Sequence, residues 1–241
     1  IQAYRWLFGR FSLSALLSVP ALLVVAASQS RKAILMIPLG IIILLFLKNL
    51  GNRSFFKSFF RIVLSLALFA AVLVLISRIS IFRGVNERLT SMIASFTGEG
   101  AADGSSLLRK KMREVGFAQF LKTPIFGIGI GCSDVLLQHT INRSTYLHNN
   151  YIELLACGGI VGTALYYVPR LALLRDFWSS RFLRNRQAIA CLTILLLLLI
   201  MDYGSVAYSE KMQYLYLLML FVQADKLRES NQQALEDGAD E

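Results

Sequence analysis

The chain has 241 residues, 56% of them hydrophobic, and a formal net charge of +10. So apolar a composition excludes an ordinary soluble domain and points to a protein that crosses a lipid bilayer several times. The basic excess then reads as lysines and arginines flanking membrane spans, and no nucleic-acid partner is expected.

In chain order, Tyr4 to Arg10 form a basic, aromatic lead-in to a first apolar run, 11–27, long enough to cross roughly 30 Å of hydrocarbon and kinked by Pro20. The polar turn Ser28-Gln29-Ser30-Arg31-Lys32 reverses it into a second run, 33–47. Segment 48–61 sets four cations among Phe55, Phe56, Phe59 and Phe60, the pattern of a helix lying on an anionic membrane surface. A third run covers 62–76. Region 77–145 mixes charges, glycines and polar residues with no crossing-length apolar run, and is the one large extramembrane loop. Within it a helix is predicted over 105–121, because Leu108, Met112 and Val115 recur at helical spacing behind the caps Ser105 and Ser106. A fourth span is predicted from Tyr146 to Val168, and two shorter runs, 188–201 and 212–224, complete a set of six. The expected fold is an all-α, polytopic transmembrane helix bundle, one membrane domain over 1–241 with the loop 77–145 inside it and a cytoplasmic tail at 226–241. The chain opens on Ile1 with no cleavable signal pattern, so it reads as the C-terminal part of a longer polytopic protein.

Charge sets the orientation. With the lead-in inside, the inner loops and the C-terminal segment hold thirteen of the 25 basic residues, Arg170, Arg175, Arg181 and Arg184 among them, whereas the two short outer turns hold Arg31, Lys32 and Lys211. The large loop and the His148 end of span four then face outside.

That topology gathers the unusual residues at one boundary. Taken singly, Arg31 reads as a flank residue snorkelling to the interface, Arg109 as one charge on the wet face of a surface helix, and His148 as a hydrogen-bonded interfacial residue; it is their convergence that marks them. Gly127, Gly129 and Gly131 read as turn residues. No strand precedes them, which argues against a dinucleotide fingerprint. Gly158 and Gly162 form a small-xxx-small pair suited to helix packing. Glu153 is an ionisable residue inside an apolar helix and so a functional candidate. It follows Asn149 by four residues, which predicts a hydrogen bond between them and a supporting role at the helix mouth.

The order Pro124-x-x-Gly127-x-Gly129, then His148-Asn149 with Glu153, then Gly158-Gly159-Ile160-x-Gly162, resembles the O-antigen ligase and polysaccharide polymerase family of integral membrane glycosyltransferases. Ser30-Arg31 matches a Ser-Arg pair that follows an apolar span there, and Arg109 matches an arginine about fifteen residues before the motif proline. A tryptophan often found a turn after that arginine is absent, and Arg113 stands near its place. The resemblance implies glycosyl transfer at the outer face of the bacterial cytoplasmic membrane, from a polyprenyl-pyrophosphate-linked glycan to a glycan, lipid or protein acceptor. It further implies His148 as the base, Arg31, Arg109, Gly127 and Gly129 as pyrophosphate contacts, and Asn149 and Glu153 as their support. No carboxylate cluster in the outer loop calls for a metal, and no cofactor is expected. A transporter or flippase of the same lipid-linked glycans is the competing class, but it would place polar residues at the middle of several spans and show internal repeats, neither of which is found. Ligase and polymerase are not distinguished at this level, nor are the sugar and the acceptor.

Overall fold

The computed structural model describes residues 31–49, 104–179 and 185–237, all helix, turn and loop. The predicted spans 11–27 and 62–76, residues 50–61 of the surface segment and the loop residues 77–103 lie outside the described residues. The chain forms two compact units, residues 1–101 with 183–194 and residues 102–182 with 195–241, each described by itself.

Of the first unit, helix α1 (Arg31–Asn49) covers the predicted second run, with Arg31 at its first residue and Pro38 inside. The second unit holds α2 (Gly104–Lys122), α3 (Ser133–Ile141), α4 (Asn150–Trp178), α6 (Lys211–Asp237) and, from Leu195, the last turns of α5 (Arg186–Asp202).

Helix α2 lies where its periodicity places it. Met112 is buried and Leu108 and Val115 pack beside it, against Leu137, Leu147, Ala156 and Cys157, while Arg109, Lys110 and Lys111 remain exposed. The loop contains a second helix that the hydrophobic pattern did not announce. Helix α3 is short, ends on Asn142 in the left-handed conformation, and buries only Ser133 and Leu137, too few positions to write a period into the sequence.

Helix α4 is the one described helix long and apolar enough to cross a membrane. It is not straight. Gly159, at φ 62° and ψ −162°, leaves the helical region in its middle. In an unbroken helix Asn150 and Tyr167 would stand about 25 Å apart, yet Asn150 Nδ2 donates to Tyr167 Oη at 3.0 Å and the Tyr151 and Tyr167 rings stack at 4.8 Å. Two arms, 150–158 and 160–178, therefore fold against each other about Gly159. The predicted single span from Tyr146 to Val168 is corrected accordingly: the helix breaks at Gly159 and continues ten residues past Val168. Arg170, expected in an inner loop, is a buried residue of that arm, its guanidinium stacked on the Tyr166 ring at 3.4 Å from the centroid.

Helix α6 turns Gln213, Leu217, Leu220, Ala224 and Leu227 inward and leaves Leu215, Leu218, Met219 and Val222 exposed. An apolar outer stripe of this kind suits acyl chains better than water. Near one end Gln213 Nε2 donates to Asp202 Oδ1, whose other oxygen accepts from Tyr167 Oη of α4, and farther along Arg228 pairs with Asp176 of α4, so the second arm of α4 and α6 run side by side. The helix continues through Asp237, so most of the expected tail at 226–241 is ordered helix, with 238–241 outside the described residues.

Candidate functional site

The broken helix and the glycine loop are parts of one structure. Without the break, the amides of Ile160 and Val161 would donate to the carbonyls of Ala156 and Cys157. They donate instead to Pro124 and Ile125, at 2.8 and 3.2 Å, and the carbonyls left over accept from Ile128 at 3.0 Å and Gly129 at 2.8 Å. The loop is thus spliced into the helix, and all four backbone groups at the break are satisfied, as irregular backbone in an apolar setting requires. Two glycines make the close approach possible. A Cβ on Gly159 would lie 2.3 Å from the Ile125 carbonyl oxygen, and one on Gly127 would lie 2.4 Å from the Cys157 carbonyl.

This geometry revises the expected roles of the glycines. The Gly127 amide donates to the Thr123 carbonyl and the Gly129 amide to the Cys157 carbonyl, so both N–H groups are engaged within the fold. Gly158 and Gly162 change places with Gly159 in importance. A Cβ on Gly162 would meet nothing within 4 Å, and one on Gly158 would meet the tip of the Ile130 side chain at 3.1 Å.

His148 stands just before the first arm, half-buried, in the left-handed conformation at φ 55°. Residues on both sides hold it. The buried Leu147 donates its N–H to Glu153 Oε2 at 2.8 Å. Asn149 caps α4, accepting the Ile152 N–H at 3.0 Å and donating from Nδ2 to the Tyr203 carbonyl at 3.0 Å. The His148 ring lies 4.2 Å from the Tyr146 ring, centroid to centroid.

The expected side-chain bond between Asn149 and Glu153 does not form. Four-residue spacing aligns two side chains only once both are in the helix, and Asn149, at φ −152°, is the extended cap outside it. Glu153, buried, binds Ser133 at the start of α3 through Oε1 and Leu147 N–H through Oε2, so it ties α3 to the backbone beside His148. Glutamine can still accept from Leu147 and, if the Ser133 hydroxyl turns, donate to it. We therefore expect Glu153→Gln to retain most activity and Glu153→Ala to lose about 1–3 kcal/mol of stability, since it orphans a buried N–H. Thermal melting and turnover of the two variants check this, and a glutamine variant as inactive as a His148 mutant would give Glu153 a chemical role.

Of the predicted cations, Arg109 is exposed on α2, and Arg31 opens α1 in the separate first unit. Sequence reading passed over Arg113 as a candidate. One turn beyond Arg109, it stands 5.8 Å from the centre of the Tyr203 ring, the residue whose carbonyl receives Asn149. Asn150 was also missed. Fully buried, it donates to Tyr167 Oη and Asp202 Oδ2 and accepts the Ala207 and Tyr208 amides at 2.8 and 3.0 Å, which joins both arms of α4 to the end of α5 and the turn after it. The signal was faint, two adjacent asparagines before an apolar run and an aspartate closing another. Burial pushes the Tyr208 phenol above its ordinary pKa, so it stays a neutral hydroxyl. Among the described residues no group of three or more His, Cys, Asp or Glu could hold a metal.

Compared with known protein families, residues 16–167 match the O-antigen ligase family. No curated protein matches the chain.

Proposed function

Since the chain belongs to the O-antigen ligase family, whose members are integral inner-membrane proteins of the ligase or polymerase type, we propose that it transfers a glycan from a polyprenyl-pyrophosphate donor to an acceptor hydroxyl, with His148 as the base. The acceptor is a glycan, lipid or protein, and the active face lies outside the cytoplasm. The observation that carries the reading is the way His148 is held: left-handed backbone at φ 55°, with Leu147 N–H fixed by Glu153 on one side and Asn149 capping α4 on the other. Strained backbone persists where the surroundings over-determine it, and a base must be aimed before it can work.

In the step, the acceptor oxygen bonds to the anomeric carbon as its proton passes to an imidazole nitrogen. The bond from that carbon to the pyrophosphate oxygen breaks, and its electron pair leaves with the polyprenyl pyrophosphate. A leaving group of that charge needs cations that grip paired oxygens, which arginine does bidentately. We assign this to Arg109, and add Arg113 for its position beside Tyr203 and Asn149. Asn149 and Glu153 position the histidine, and Gly127 and Gly129 shape the loop behind it.

The test uses purified full-length protein, a lipid-linked oligosaccharide and an acceptor in detergent, where there is no membrane to transport across. Release of polyprenyl pyrophosphate coupled to acceptor glycosylation is expected. Donor binding without release, over a broad set of acceptors, would instead mark a transporter. Arg109→Lys and Arg113→Lys keep the charge but lose the two-point grip, so each should raise the donor KM by about tenfold with a smaller change in kcat. Equal donor KM in wild type and both variants would remove these two arginines from the site.

A further inference from the structure

Resting on the proposed transfer reaction, we propose that the cavity beside Tyr146 seats the acceptor's sugar, and that this sugar carries no phosphate. The cavity, of about 390 Å³, is walled by Tyr146, Thr145, Asp134, Tyr208 and Glu210, with Glu153 and Ser133 at its back. That volume lies within the range of small-ligand sites.

Three features select the ligand. Hydroxyls and carboxylates line the walls, and sugar hydroxyls can donate to the carboxylates while exchanging bonds with Ser, Thr and Tyr. Tyr146, exposed and on the cavity wall, offers an aromatic face for the apolar C–H side of a pyranose ring. The charge is one-sided: Asp134, Glu153 and Glu210 are on the lining, and no lysine or arginine is among the residues described there. A phosphate placed here would meet like charge, whereas a neutral or amine-bearing sugar would not.

The location supplies the link to chemistry. Tyr146 lines the cavity and its ring packs on His148, so a sugar seated here borders the proposed base, and the attacking hydroxyl is the one that projects past Tyr146 to within hydrogen-bond reach of the imidazole. On the Asn149 side of His148 lies the cation Arg113, through Tyr203. Hydroxyl acceptor and pyrophosphate donor are thus sorted to two differently charged surroundings of one histidine.

The experiment compares full-length wild type with the double variant Asp134→Asn/Glu210→Gln. In the transfer assay the double variant should raise the acceptor KM about tenfold, because hydrogen bonds to charged partners are the stronger ones, and move the donor KM less than twofold. Saturation-transfer NMR needs no turnover. Glucose, galactose, mannose, glucosamine and N-acetylglucosamine serve as probes, each beside its 6-phosphate. Signal is expected from at least one free sugar, none from its phosphate, and a loss of that signal in the double variant. An unchanged acceptor KM, a phosphate that binds as well as its free sugar, or silence from the whole panel would each overturn the proposal. Wild type that binds a free sugar by NMR but never releases polyprenyl pyrophosphate would sink the transfer reaction and leave the sugar site standing.

Discussion

Gly159→Ala is expected to unfold the splice between the glycine loop and α4, with a loss of about 5–7 kcal/mol. Its Cβ would sit 2.3 Å from the Ile125 carbonyl oxygen, backbone against backbone, so no side chain can move aside. The four hydrogen bonds between 124–129 and 156–161 are worth about 1 kcal/mol each, and alanine at φ 62° and ψ −162°, a region populated essentially by glycine, adds about 1–3 kcal/mol of strain. For a protein of this size that corresponds to a fall of about 10–25 °C in melting temperature. Gly127→Ala should behave alike, since its Cβ would meet the Cys157 carbonyl at 2.4 Å with φ at 68°. Gly162→Ala is the control: its surroundings are open and its backbone helical, so melting should be unchanged or slightly raised. Thermal melting of the three variants in detergent decides the matter, and a Gly159→Ala protein as stable as Gly162→Ala would show that the loop is not spliced into the helix.

His148→Ala is expected to lower turnover by about 10²–10⁴, the usual contribution of a positioned general base. Melting temperature and donor affinity should stay near wild type, because the ring is half-buried and Leu147 and Asn149 are anchored by their own bonds. Asparagine tolerates the left-handed backbone better than alanine does, so His148→Asn separates geometry from chemistry. It should fold as well as wild type and be as inactive as His148→Ala, with donor lipid accumulating in the bound state. Single-turnover release of polyprenyl pyrophosphate measures this, and normal release by either variant would take His148 out of the mechanism.

The sequence by itself determined the membrane class, the helix α2 with its buried Met112 face, and the motif residues that place the chain in its family. These are legible because composition, a 3.6-residue period and fixed short spacings are local properties of a chain. It also singled out Glu153 and Asn149, but joined their side chains to each other. Tertiary structure decided otherwise: the cap conformation of Asn149 points it at Tyr203, and Glu153 finds Ser133, twenty residues back, and the Leu147 amide. The break in α4 was hidden for a similar reason. Residues 150–168 are apolar enough to read as one helix, and a glycine pair inside an apolar helix carries no local mark of which glycine turns. That choice rests with a loop thirty residues earlier, whose carbonyls and amides replace those of the helix at Gly159. Asn150, Arg113 and the cavity beside Tyr146 belong to the same class: each is defined by what the chain brings against it from far away, and hydrogen-bond partners so distant leave no period in the sequence to read.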